Sequence, residues 1–332
     1  MISLEVVIAG VMLMSLVIYA LGAGADFGGG VWDLFATGAT GKKQRDVIAH
    51  AIGPIWEANH VWLILVIVVL FVAFPAAFSA ISNALHIPLT LMLIGIVLRG
   101  SAFTFRSYDV QTDEVQRRWS TVFAVASIVT PITLGICVGA VASGRIRVDP
   151  QTGRMVGDFV SAWLAPFPFA IGGWTLSLFA FLAGVYLILE TEDPQLREAF
   201  RTRALLAGLA VGAFALLSFL LSRRGAPLIY DGLSRDPSSV PFQCLTGLVS
   251  VGAFLALWKR AYRAARVLAI AQVTLILGGW GLAQFPFVLP PGLTFQEAAA
   301  PVSVLRLLTI ALGAGAVLLF PSLWYLFRVF KR

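Results

Sequence analysis

The sequence predicts an all-α polytopic membrane protein with about nine transmembrane helices, its N-terminus outside and its C-terminus in the cytoplasm. Composition is the first of three observations behind this. Of the 332 residues, 59% are hydrophobic and 12% are charged, and the mean hydropathy is +0.88. A soluble protein of this length keeps far more polar surface. The other two observations are the lengths of the apolar runs and the placement of the basic residues.

Nine apolar runs reach about 20 residues, the length that an α-helix needs to cross a bilayer. Residues 6–21 lack a preceding basic segment, so we expect a retained first span and not a signal peptide. The joints between runs are short, which predicts that residues 1–332 form a single integral membrane domain. In chain order the predicted spans are 5–27, 57–76, 80–100, 120–142, 162–188, 204–222, 241–258, 267–285 and 305–327.

The basic residues are distributed unevenly between the two sides of these spans. The joints after every odd-numbered span, together with the C-terminal tail, hold 17 Lys and Arg residues, whereas the opposite joints hold 7. Cytoplasmic loops carry the excess of Lys and Arg in membrane proteins, so the first set is predicted to face the cytoplasm. The net charge of +7 is therefore assigned to these loops and not to a nucleic-acid surface.

The stretch Gly53–Trp62 places an acid, an amide and an imidazole at the cytoplasmic start of span 2. On a helix, Trp56, Asn59 and His60 share one face, and Glu57 precedes His60 by one turn. Asp26 lies near the cytoplasmic end of span 1, and the joint 28–56 would bring it towards Glu57. The triplet Gly28-Gly29-Gly30 at the start of that joint suits a tight exit from the helix.

Acidic residues at membrane depth are costly, so they indicate an ion or proton pathway. We therefore take Glu57, Asp26 and His60 as candidates for a proton path. Solvation of both acids at the headgroup level is the simpler alternative. A second hypothesis for the function is a secondary transporter that couples ion movement to Asp26 and Glu57.

The remaining candidates are structural. Arg99 and Arg106 either anchor the cytoplasmic ends of helices or pair with acids of this or another subunit, while Trp56 and Trp62 suit the interfacial belt.

His60 has no second histidine at a useful depth, so we expect no haem bound by His in this chain. His86 is expected to make a local hydrogen bond. Cys137 and Cys244 form no metal-ligand pattern, so we expect no zinc or iron–sulfur site in this chain. A third hypothesis, a self-sufficient membrane cytochrome, is disfavoured because the chain has only three histidines.

Four motifs resemble subunit II of the cytochrome bd-type quinol oxidases. Gly24–Gly30 resembles the Gly-Phe-Asp-x-Gly-x-Gly motif that ends that family's first helix. Ile52–Trp62 resembles its Pro-x-Trp-Asp/Glu-x-Asn-x-Val-Trp segment, which is the most specific of the four. The others are Arg99-Gly100 with Phe103–Arg106, and Gln284–Phe287. Ala23 and Ala25 depart from the family, where an acid and the motif Phe stand.

The resemblance implies a nine-helix subunit that is not catalytic alone and pairs with a homologous subunit I. That partner would carry haems b and d and the quinol site, and a small accessory single-helix subunit is a further expected partner. The complex would oxidise quinol and reduce O2 to water in a bacterial cytoplasmic membrane. Glu57 matches the acid proposed for the family's proton path, and Asp26 matches the motif Asp. A structural quinone is implied for some members.

Overall fold

A computed structural model describes residues 3–53, 56–108, 113–149, 155–235 and 239–330 of the chain. Within these ranges the description excludes the side chains of residues 56, 57, 107, 108, 113, 116, 117, 326, 327 and 330. Helices dominate, with two small antiparallel hairpins between them. In chain order the elements are α1 Leu4–Leu34, α2 Gly41–Ile52, α3 Trp56–Ala73, α4 Pro75–Ala84, α5 His86–Tyr108, α6 Asp113–Ala142, β1 Arg147–Val148, β2 Met155–Val156, α7 Pro166–Leu187, α8 Pro194–Gly225, α9 Pro227–Ser234, α10 Ser239–Trp258, α11 Tyr262–Gln284, β3 Phe287–Leu289, β4 Leu293–Thr294, α12 Phe295–Ala298 and α13 Val302–Phe330.

The predicted class, an all-α polytopic membrane protein, is confirmed. Within the described ranges, eight helices are long and apolar enough to cross a membrane, namely α1, α5, α6, α7, α8, α10, α11 and α13. The shorter apolar stretch Ala58–Ala73, within α3, falls where the second span was predicted. Each of the nine predicted spans therefore corresponds to one helix.

Two predicted boundaries are wrong. The glycine triplet does not end α1, which continues to Leu34. These glycines allow close packing, because a Cβ on Gly28 would meet the backbone carbonyl of Phe179 and one on Gly30 would meet the Ser127 side chain. Asp26 consequently lies two turns inside the helix and not near its end. The predicted third span also begins too early, since α4 ends at Ala84 and the spanning helix starts at His86.

α1 occupies the middle of the bundle and contacts α3, α6, α7, α11 and α13 along its length. Its buried face joins α7 in the largest core cluster, where Phe27, Phe179 and Leu182 are nearly inaccessible. α13 lies at the periphery and exposes apolar side chains such as Leu307 and Val317. Lipid or a partner protein is the natural environment of such a surface.

The two ends of the bundle differ. One end, called here the α2 end, carries α2, the C-terminus of α1 and the N-terminus of α3. The other, the hairpin end, carries both hairpins with α4, α9 and α12 and has its own apolar cluster around Phe74 and Leu289. The described chain thus alternates between these ends from one long helix to the next, which gives each polar residue near a helix end a definite side.

Candidate functional site

A buried ion pair joins the middle helices towards the α2 end. One Arg99 Nη atom of α5 lies 2.5 Å from Asp26 Oδ1 of α1, and each side chain is 1% exposed. The same nitrogen donates to the Asp26 carbonyl at 3.1 Å, and Arg99 Nε donates to Ser127 Oγ of α6 at 3.1 Å. Three helices therefore meet at one guanidinium group, and its hydrogen bonds lower the cost of burying the charge.

Aromatic rings complete the enclosure of Arg99. Its guanidinium carbon lies 4.8 Å from the ring centroids of both Phe27 and Phe123, within the range of a cation–π interaction. The guanidinium carbon of Arg106 lies 5.7 Å from the centroid of the same Phe123 ring. Arg106 in turn donates to both carboxylate oxygens of Asp33 at 3.1 Å.

The two ion pairs repeat at a spacing of seven residues on both helices, Asp26 and Asp33 on α1 and Arg99 and Arg106 on α5. Seven residues bring a helix back to nearly the same face. We call the four side chains of the pairs, together with Phe27 and Phe123, the arginine ladder. It connects α1, α5 and α6 over two helical turns.

Asn59 and His60 of α3 face the same part of α1. The His60 ring lies between Tyr19 and Phe27, with its centroid 6.0 Å from each ring. Asn59 is 8% exposed and packs against Gly22, where a Cβ would collide with its amide group. Asn59 and His60 thus both contact α1, whereas the side chain of Trp56, the third residue of the predicted face, lies outside the described residues.

Four buried polar atoms around this contact have no hydrogen-bond partner among the described residues. They are the Tyr19 hydroxyl, Asp26 Oδ2, Asn59 Nδ2 and His60 Nδ1. A buried polar group without a partner costs about 1–3 kcal/mol, so such a concentration in one place is informative. We call these four residues the α1–α3 polar cluster. Chemically it offers a carboxylate oxygen, an imidazole and a phenol, all of which can exchange protons.

The other predicted residues have varied outcomes. The side chains of Glu57 and Trp56 lie outside the described residues, so their placement stays a prediction. Trp62 contacts α13 through the Phe320 ring at 6.5 Å. Arg99 and Arg106 pair with acids of this chain, which was one of the two alternatives. His86 Nδ1 lies 2.9 Å from the Asn83 carbonyl oxygen, which confirms its local hydrogen bond.

Sequence reasoning missed Tyr19, Asp33 and Ser127. Asp33 was missed because α1 was expected to end before it, which would have left its carboxylate in a solvated joint. A usable signal was present: the acids of α1 and the arginines of α5 share the same seven-residue spacing. Tyr19 carries no comparable signal, since a tyrosine in an apolar run is an ordinary core residue.

A cavity of about 570 Å³ opens between α7 and α8 on one side and α10 and α11 on the other. Its wall is mainly apolar and includes Tyr19, so the cavity reaches the α1–α3 polar cluster. Four further wall atoms lack hydrogen-bond partners in the described part of the chain, namely Trp174 Nε1, Trp280 Nε1, Gln272 Oε1 and Ser218 Oγ. An apolar space of this size with a few polar groups is typical of a small-molecule site.

The described residues contain no group of three or more His, Cys, Asp or Glu side chains that could hold a metal ion. Cys137 is buried and Cys244 is exposed, and both are free. The ring of His60 is enclosed by aromatic side chains on two sides.

Comparison with known proteins gives a consistent result. The sequence profile of the family described as cytochrome bd terminal oxidase subunit II matches residues 4–330. The chain is 23% identical over 359 residues to cytochrome bd-I ubiquinol oxidase subunit 2 of Escherichia coli K12, covering 98% of this chain and 93% of the relative. It is 29% identical over 213 residues to cytochrome bd ubiquinol oxidase subunit 2 of Bacillus subtilis 168, covering 61% and 60% of the two chains.

The fold also has a solved counterpart. A chain of the bd oxidase from Geobacillus thermodenitrificans superposes with a TM-score of 0.81 and 21% sequence identity, covering 99% of each chain. At this identity the similarity establishes the fold. The helix arrangement described above is therefore shared with that chain over 99% of its length.

Proposed function

The chain belongs to the cytochrome bd terminal oxidase subunit II family, and from this premise we propose that it serves as the non-haem subunit of a bd-type quinol oxidase. Such a complex oxidises quinol and reduces O2 to water, and this chain is not catalytic alone. The observation that carries its role is the α1–α3 polar cluster beside the buried Asp26–Arg99 pair. Reduction of O2 at an enclosed centre consumes protons, and this cluster can deliver them.

In this proposal the partner is the homologous haem-bearing subunit I, which holds haems b and d and supplies the electron-transfer chemistry. The present chain contributes stability and protons. The complex lies in the bacterial cytoplasmic membrane, and a small accessory single-helix subunit completes the proposed set of partners.

The proposed proton path begins at the α2 end, which faces the cytoplasm, and runs through Glu57, His60 and Asp26. Asp26 Oδ1 stays bound to Arg99, whereas Oδ2 is the oxygen that can take up and release a proton. The His60 ring contacts the ring of Phe27, the residue after Asp26, and Glu57 precedes His60 by one turn in the sequence. In this proposal the surrounding helices are held in place by the structural candidates Trp56, Asn59, Trp62, Arg99 and Arg106.

The experiment uses the complex purified through a tag on this chain. We expect a haem-bearing subunit to co-purify, and Glu57→Gln and Asp26→Asn to lower quinol:O2 turnover by on the order of 10²-fold, the lower end of what positioned proton-transfer groups contribute. Haem spectra should stay unchanged. The proton path is wrong if both variants turn over normally, and the assignment itself fails if no haem protein co-purifies.

Two matched controls separate proton transfer from structural damage. Asp33→Asn removes the other buried, arginine-paired acid of α1, so it reproduces the loss of an ion pair outside the α1–α3 polar cluster. Glu114→Gln removes an exposed acid whose side chain is 66% accessible. We expect both controls to keep most of the turnover. Equal losses in Asp33→Asn and Asp26→Asn would assign Asp26 a purely structural role.

The cavity is the proposed place for a structural quinone. Its mainly apolar wall suits an isoprenoid tail, and the unpartnered N–H groups of Trp174 and Trp280 suit the carbonyl oxygens of a quinone ring. Solvent extraction of the purified complex, followed by chromatography, should release quinone in proportion to this subunit. Replacement of both tryptophans by Phe should lower that amount, and an unchanged amount would place the quinone elsewhere.

A further inference from the structure

The cavity between α7, α8, α10 and α11 reaches the surface of the bundle at one seam. Among the described residues of its wall, the only exposed ones are Gly212 and Leu216 of α8 and Gly247 of α10. We call these three residues the α8–α10 opening. They lie well inside two membrane-spanning helices, so the opening faces the hydrocarbon interior of a bilayer and not water.

Both glycines of the α8–α10 opening leave empty space beside them. A Cβ placed on Gly212 or Gly247 would meet no atom within 4 Å, whereas one on Gly28 or Gly135 would collide with α7. Glycines at a helix contact usually let two backbones pack closely together. At Gly212 and Gly247 the missing side chains instead leave the space between α8 and α10 unfilled.

Hydrogen bonds hold the two ends of this helix pair. Towards the α2 end, Arg201 of α8 donates to the carbonyl groups of Leu257 and Trp258 of α10, at 2.8 and 3.0 Å. Towards the hairpin end, Ser239 of α10 donates to the carbonyl of Leu233 at 2.9 Å, and Leu233 belongs to α9, which directly follows α8. The opening between these contacts therefore has a defined position and defined borders.

The wall of the cavity restricts the chemistry of what can enter. Among its described residues none is Asp, Glu, Lys, Arg or His, so a charged headgroup would be buried there without a counter-charge, at a high cost. Its unpartnered donors include the indole N–H groups of Trp174 and Trp280 and the Ser218 hydroxyl. An uncharged ring that carries carbonyl oxygens and an apolar tail meets both conditions, whereas a phospholipid headgroup fails the first.

We propose that the α8–α10 opening is a lateral portal through which an isoprenoid quinone passes between the hydrocarbon interior of the membrane and the cavity. The cavity volume of about 570 Å³ suits a molecule of drug size, so a long isoprenoid tail extends through the opening into the lipid. The polar ring lies inside, where the indole groups are. This inference rests on the proposed function for the identity of the guest, whereas the opening itself does not.

The test measures quinone exchange in the purified complex, with its haem-bearing subunit, in lipid nanodiscs. The nanodiscs contain an excess of a quinone whose isoprenoid tail differs in length from that of the bound quinone. At intervals the complex is washed free of lipid in detergent, and the retained quinones are extracted and separated by mass. We expect the added quinone to replace the bound one in the unmodified complex. A bound quinone that never exchanges would overturn the portal.

The variant Gly212→Leu/Gly247→Leu fills the opening from both helices. Leucine favours a helix more than glycine does, so the fold is retained. We expect exchange to slow by about tenfold or more, because two side chains then have to be displaced whenever a quinone passes. Ala213→Leu is the matched control, since Ala213 is exposed on α8 beside Gly212 and is not part of the cavity wall. It should exchange like the unmodified complex, and an unchanged rate in the double variant would refute the proposed route.

Three further outcomes separate this inference from the proposed function. If the haem-bearing subunit co-purifies and turnover is normal but no quinone is retained, the portal fails and the assignment as the non-haem subunit stands. If phospholipid is retained in place of quinone, the argument for an uncharged guest is wrong and the portal fails with it. If no haem protein co-purifies while the double variant still slows exchange, the assignment fails and the portal stands.

Discussion

At the scale of a single residue, Arg99 shows which contacts the helix bundle supplies to a buried charge. Among the described side chains that are nearly inaccessible, it is the largest, and it is 1% exposed. Asp26 supplies the opposite charge, Ser127 accepts from Nε, and two phenylalanine rings cover the guanidinium faces. If any one of these partners is removed, a charge stays buried with fewer groups to compensate it.

We expect Arg99→Met to lower the free energy of unfolding by about 3–5 kcal/mol, because it leaves Asp26 buried without a counter-charge. The double variant Arg99→Met/Asp26→Leu should recover most of this loss, since it removes both charges. Urea or thermal unfolding of the purified complex, followed by circular dichroism, measures the difference. Arg118→Met is the control: its partner Glu114 is exposed, so we expect a change within about 1 kcal/mol.

At this scale the sequence predicts which residues matter better than it predicts their partners. Asp26 and Arg99 stand out because charges in apolar runs are rare, and pairing with acids was one of two alternatives for Arg99. Their actual contact depends on the relative height of α1 and α5, which local sequence does not encode. Asp33 was missed for a different reason, because α1 was expected to end before it. Tyr19 belongs to the site only through its neighbours on α3.

At the level of elements, α1 and α7 show why glycine triplets are poor helix terminators inside a membrane. Gly28 lies where the backbone of α7 approaches α1 most closely, against the carbonyl group of Phe179. Small residues at helix interfaces allow such contact, and van der Waals packing then stabilises the helix pair. The same residues that suggested an exit from the helix therefore hold it in the bundle.

Gly28→Ala should destabilise the chain by about 1–3 kcal/mol, because the new methyl group meets a backbone carbonyl that cannot turn away. Gly10→Ala on the same helix is the matched control, since a Cβ there has no atom within 4 Å. The control should be neutral or more stable by up to about 1 kcal/mol, the difference in helix propensity. Thermal unfolding of both variants in one detergent compares them, and equal midpoints would refute the packing argument.

The short helix α12 should respond to pH through its capping box. The Thr294 N–H and hydroxyl donate to Glu297 Oε2 at 2.8 and 2.7 Å, and these hydrogen bonds hold the pKa of Glu297 below its ordinary value. A lowered pKa in the folded state stabilises the box above the ordinary pKa of about 4.3, and this stabilisation is lost as the pH falls through the lowered value.

We therefore expect amide hydrogen exchange in residues 294–299 to become faster, relative to intrinsic rates, as the medium is acidified through that range. Glu297→Gln has no carboxylate to protonate, so its exchange protection should not change with pH. A variant that keeps the pH response would assign the titration to another group.

At the level of the whole molecule, composition and the lengths of the apolar runs predicted most of the fold. All nine spans have a helix at the expected place because a bilayer demands long apolar segments with internally satisfied backbones. The short elements α2, α4, α9, α12 and the two hairpins were not predicted. They lie at the helix ends, where tertiary contacts, such as that of Arg203 with Gln44 of α2, decide the local structure.

The direction of the chain in the membrane is still a prediction, and single cysteines can measure it. In a Cys244→Ser background, which removes the exposed native thiol, Lys43→Cys marks the α2 end and Val156→Cys marks the hairpin end. A membrane-impermeant maleimide added to intact spheroplasts should label Val156→Cys alone, and inverted vesicles should reverse the pattern. The opposite labelling would place the α2 end outside and remove the cytoplasmic origin of the proton path.

The arginine ladder has a consequence for biosynthesis. α1 leaves the ribosome long before α5, since the residues of each ion pair are 73 positions apart in the chain. During that interval Asp26 and Asp33 have no counter-charge in the nascent bundle. When α5 is inserted, its two arginines must lie at the same depth as these two acids. A chain truncated after α3 should therefore be retained by the insertion machinery or degraded by membrane proteases, whereas one that extends through α6 should accumulate.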